Sequence, residues 1–146
     1  MKIPIANVVL KLATATGVLG CLTSSAGELE VAVSPIKLAG QKALVKLEMV
    51  NHLTEPVTSA KAACFICDDA GKVVAQNTRW VFGGGTNANA TIPVGGTNVF
   101  HFVVNATKPW TTTNLTAKVV FSRVVLQDGH LADVAKSVSV FPLRKQ

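Results

Sequence analysis

Tyrosine is absent from this chain of 146 residues, tryptophan occurs twice and cysteine three times. Three cysteines are too few for the disulfide framework that holds together small secreted scaffolds, so the fold must rest on an apolar core. Charge is also sparse: 15% of residues are Asp, Glu, Lys or Arg, and the acids number 8. The 14 basic residues give a formal charge of +6, but only Arg144 and Lys145 are adjacent. Basicity this scattered favours solubility and speaks against a nucleic-acid partner, which needs cations clustered on one face. The chain has no phosphate-cradling glycine loop and no recognisable catalytic grouping. Its histidines and cysteines have no metal-ligand spacing beyond a lone CxxC.

What is abundant is small apolar side chain: 49% of the sequence is hydrophobic, enough to bury one core and to exclude disorder. Met1–Ala26 reads as a secretory signal peptide. Lys2 makes its start positive, an apolar region runs brokenly to Leu22, and Ser24-Ser25-Ala26 offers small residues for cleavage. The segment is too short, and too rich in Thr, Gly and Ser, to span a membrane. Val18-Leu19-Gly20-Cys21 also resembles a bacterial lipobox, in which Cys21 is lipidated and attaches the mature chain to a membrane. Either processing route places residues 27–146 outside the cytoplasm, in periplasm, outer envelope or secretion. Without Lys2 and Lys11, this part carries +4 of the +6.

Period-two alternation recurs through residues 27–146. Leu29, Val31 and Val33 alternate with Glu30, Ala32 and Ser34, and Ala43, Val45, Leu47 and Met49 alternate with Lys46 and Glu48. Ala60–Cys67 and Lys72–Val81 flank Asp68-Asp69-Ala70-Gly71, a turn signal, and predict the most buried hairpin of the chain. Gly83–Asn89 predicts an exposed loop. Asn98–Ala106 places Phe100 and Phe102 on one face. Leu115–Leu126 presents Leu115, Ala117, Val119 and Phe121 together; a bulge near Arg123 would then return Val124 and Leu126 to the same side. Asp128-Gly129 predicts a hairpin whose return strand is Leu131–Phe141. About seven strands with short turns and no helix predict an all-β fold, a single antiparallel immunoglobulin-like β-sandwich; a closed barrel ranks second.

Cys64-Phe65-Ile66-Cys67 ends the first strand of the hairpin. Strand residues three apart point to opposite faces and lie about 10 Å apart, beyond disulfide reach, so two reduced structural thiols are expected. The alternatives are a local disulfide or a half zinc site. The same segment, Cys64–Asp68 (CFICD) followed by Gly71, resembles the Phe-x-Leu-Tyr-Asp motif of FxLYD bacterial extracytoplasmic domains. Asp68 matches and Ile66 is conservative, while Cys64 and Cys67 stand in place of the two aromatics. Asn51 ahead of Pro56, the Pro93–Gly95 lead-in and Asp128-Gly129 extend the similarity loosely over Leu29–Val140. The resemblance implies a sandwich-like surface module without known catalysis.

Two tryptophans, Trp80 and Trp110, divide between core and surface. One is expected between the sheets, as sandwich domains often bury one. Trp110, between Pro109 and three threonines, either plugs the end of the sandwich or presents its ring to a partner. His52, His101 and His130 are far apart and neighbour no nucleophile in a known motif. Together these features predict a non-catalytic module for binding or structural interaction at the envelope or cell surface, without a cofactor. The partner would be a protein or a glycan, and the binding residues Trp110, Cys67 and Asp68. The alternative is a periplasmic ligand carrier or redox accessory using Cys64 and Cys67.

Overall fold

A computed structural model describes residues 27–84 and 90–143, and the leader with Cys21 lies outside them. Among the described residues eight strands run in order: β1 (Leu29–Val33), β2 (Lys37–Ala39), β3 (Lys42–Asn51), β4 (Val57–Cys67), β5 (Val73–Phe82), β6 (Thr97–Asn105), β7 (Thr116–Leu126) and β8 (Val138–Pro142). They form two sheets packed face to face, a β-sandwich. In the larger sheet β3 pairs with β6 along one edge and with β1 and β2, end to end, along the other; β8 lies outside β1. The smaller sheet runs β5–β4–β7. Strands one, three and six opposite four, five and seven reproduce the immunoglobulin-type arrangement.

The alternation seen in the sequence becomes the core. Val45, Leu47, Phe102, Val119 and Phe121 are buried, and Phe100 is half-buried and stacks on Phe82 with ring centroids 4.6 Å apart. The bulge near Arg123 is present: Lys61 pairs with Arg123 but Ala62 with Phe121, and the skipped Ser122 lets Val124 and Leu126 turn inward.

Beyond Pro35 the chain resumes pairing as β2, Lys37–Ala39 against Lys42–Leu44. Three expectations need correction. The last strand is shorter than the predicted Leu131–Phe141. Asp128 (φ 66°) and Gly129 (φ 83°) do form a tight turn with both residues left-handed. The chain nevertheless bonds back to β7 only through Leu126 N–H to His130 O and Ala132 N–H to Val124 O. It then passes through a one-turn helix, α1 (Val134–Ser137), capped by the Asp133 carboxylate, and joins β1 as β8. That pairing is parallel, the one exception to the antiparallel pattern among the described strands. Gly83, expected in an exposed loop, is buried: a Cβ there would collide with the Ser59 Cβ, so only glycine allows this approach. Trp80 is not core. It lies half-buried on the outer face of the small sheet, with the Lys61 ammonium 5.9 Å from its ring.

Asn51 is one of two buried polar residues among those described, Ser59 being the other. Its Nδ2 donates to Glu55 O (2.9 Å) and Ile92 O (3.0 Å), and its Oδ1 accepts from Leu53 N–H (2.9 Å). Its own backbone bonds Gly96 O and Gly95 N–H. One side chain thus fastens the β3–β4 loop to the segment entering β6. Asn51→Ala removes the partner of Glu55 O and of Leu53 N–H and leaves Ile92 O only its bond from Val57 N–H, and chemical denaturation is expected to show a loss of roughly 2–4 kcal/mol. Unchanged stability would mean that the clasp is not formed.

Candidate functional site

Strand direction alternates, so the connections after β2, β4 and β6 emerge at one end of the sandwich and those after β3, β5 and β7 at the other. At the first end, the β4–β5 turn and the β6–β7 loop enclose a hollow of about 390 Å³. Asp68, Lys72, Lys108, Trp110, Thr111 and Thr112 are among its lining residues. Asp68 shapes the turn: its Oδ1 accepts from Ala70 N–H (3.0 Å) and Lys72 N–H (2.9 Å), while Asp68 N–H donates to Lys72 O. Gly71, with φ 80°, completes the reversal.

Trp110 is placed by its own polar atom. Its Nε1–H donates to Gly40 O at 2.9 Å in the β2–β3 turn, and Ala106 N–H donates to Gln41 O close by. The indole packs against the edge of the core and also lines the hollow. Plug and platform therefore coexist in one side chain.

Of the residues singled out in the sequence, the fold brings Asp68 and Trp110 together. Cys67 does not line the hollow; it pairs with Val73 and Thr116, half-buried on the outer face of the small sheet. Lys72 and Lys108 were missed. Counting alternate strand directions would have placed both loops, and hence both lysines, at one end.

Cys64 and Cys67 are free thiols. Cys64 points into the core with Ala62 and Ile66. Burial, with a smaller contribution from nearby Cys67, pushes its thiol up to about 11. A thiol held protonated at neutral pH is a poor nucleophile, which weighs against redox use of the pair. Because the folded state keeps the proton while the unfolded thiol loses it near 9, stability contributed by Cys64 falls as pH rises from about 9 to about 11. Denaturation measured across that window is expected to fall less steeply in Cys64→Ala. A thiol-labelling time course at pH 8 checks the same asymmetry: Cys67 reacts in the folded protein and Cys64 only on unfolding.

At the opposite end two histidines meet carboxylates, His130 with Glu55 at 2.8 Å and His52 with Glu30 at 3.1 Å. Both pairs lie at the surface, with histidine side chains 53% and 41% exposed, and neither lines the hollow described above. Among the described residues, no three His, Cys, Asp or Glu side chains gather closely enough to hold a metal ion. No helix among them is long and apolar enough to cross a membrane. No protein-family model, curated protein or solved structure matches the chain.

Proposed function

We propose that this protein is a non-catalytic, extracytoplasmic binding module acting at a cell envelope or surface, and that it holds its ligand in the hollow between the β4–β5 turn and the β6–β7 loop. The observation that carries the reading is that Trp110 and Asp68, forty-odd residues apart, line one hollow with Lys72 and Lys108. An indole offers an apolar platform, Asp68 an acceptor, the threonines donors and acceptors, and the lysines a cationic rim. That set suits a glycan residue bearing an acidic group better than a purely apolar ligand. The signal-like leader supports export, and the Cys64–Asp68 likeness to FxLYD domains supports a surface module.

Tryptophan fluorescence in a Trp80→Phe background isolates the signal of Trp110. Titration with uronic-acid oligosaccharides is expected to give a saturable change, weaker with neutral hexose oligomers. Lys72→Ala combined with Lys108→Ala, both exposed, is expected to weaken binding at least tenfold with melting temperature unchanged. No response to any oligosaccharide at millimolar concentration would remove the glycan reading. The N-terminus of protein from its native cell checks export: Cys21 or a residue near Gly27 is expected, and an intact Met1 would oppose it.

A further inference from the structure

The two sheets are unequal, and the missing strand has a definite place. The large sheet is four strands wide, counting β1 and β2 as one, whereas the small sheet has three. On one side the sandwich is closed. Phe82 stacks on Phe100, Asn77 Nδ2 donates to Val103 O (3.0 Å), and the Arg79 guanidinium lies 5.9 Å from the Phe102 ring. On the other side β8 has gone to β1, and β7 has β4 on one edge only. Beyond the short return at Val124–Leu126, nothing among the described strands pairs with β7 from Thr116 to Arg123. Among the described residues, no strand takes the place opposite β8 in the small sheet.

The exposure of β8 results from that vacancy. Val140 pairs with Val31 in parallel register and shares its inward face, yet Val31 is fully buried and Val140 is 39% exposed. A cleft of about 720 Å³ lies there, between Ile36 and Val140 on one wall and Leu115, Ala117 and Val119 on the other. Among the described residues, Lys118 is its one charged lining residue. Leu143 closes the rim, and Arg144-Lys145 come directly after it in sequence.

We infer that the cleft accepts an extended peptide strand from another protein, with alternate apolar side chains and acidic residues at its ends, which pairs with the open edge of β7 and completes the small sheet. An unpaired strand edge supplies backbone donors and acceptors in the spacing of a fourth strand. The period of two then puts every second side chain of the guest onto Val140, Ile36 and Val119. Charge selects against a second copy: antiparallel pairing of β7 with itself about its middle sets Lys118 opposite the Arg123 of the other copy, and like charges across a ladder repel. The same cations favour acidic flanks. The cleft adjoins the hollow at Trp110 and shares Leu115 with it, but Lys118 and Val140 line only the cleft and Lys72 and Lys108 only the hollow, so either can fail alone.

The probe is a synthetic peptide, acetyl-Glu-Val-Thr-Val-Thr-Val-Thr-Glu-amide, titrated into the full chain and read by backbone NMR and hydrogen exchange. Expected are saturable shifts along β7 and β8 and new amide protection between Thr116 and Arg123. Val140→Glu replaces an exposed side chain, so the fold persists, and binding is expected to weaken at least tenfold. Lys118→Glu is expected to weaken it as well, and to favour the same peptide with Lys at both ends. The inference is overturned by absence of binding at millimolar peptide, by protection elsewhere than β7, or by indifference to Val140→Glu. It is equally overturned if β7 is already protected in a dimer of the protein alone.

Discussion

The Asn51 carboxamide is the constraint on which the arrangement of the sheets depends. An amide buried in an apolar interior is costly unless satisfied, and here the donor and the acceptor are both engaged by the backbone at the point where β3 ends. The bond to Ile92 O reaches across forty-one residues. With the paired bonds between Val57 and Ile92, it makes the chain leaving β3 and the chain entering β6 one unit. β3 and β6 are neighbours in the large sheet, whereas β4 and β5, which lie between them in sequence, belong to the other. The crossing that separates the sheets is therefore pinned by a single polar side chain, and the apolar faces are brought into register around it.

Much of this was legible in the residues, and the exceptions share a cause. The alternations at Ala43–Met49 and Phe100–Val104, and the change of phase near Arg123, are local properties of strands with one buried face. β2 was not legible, because it is held by pairing to β3 and not by its own three residues. The destination of β8 was not legible at all. Asp128-Gly129 specifies a turn but not the path of the chain beyond it, and the parallel pairing with Leu29–Val33 spans nearly the whole chain. Trp80 was expected in the core through analogy; its half-buried place over Lys61 comes from its register opposite that residue.

The candidate site shows the same division. Trp110 stood out by its loop of proline and threonines, and Asp68 by its turn, but their meeting depends on strand count and direction. Cys67 shares the Asp68 segment yet points elsewhere, because successive residues of a strand face opposite ways. The raised thiol of Cys64 is likewise a property of packing, since burial against the core is its main cause.

The parallel union of β1 and β8 has a mechanical consequence. Leu29 begins β1 at one end of the sandwich, and Pro142 ends β8 at the other, so tension applied between the two termini acts along both strands in opposite senses. The five residue pairs from Leu29–Val138 to Val33–Pro142 are then loaded together in shear, not opened one by one as in a peeled hairpin. Rupture under force is governed by the unfolding barrier and not by equilibrium stability, and a joint that must yield all at once raises that barrier. A chain tethered at one end and pulled at the other would meet its resistance in that seam, between β1 and β8.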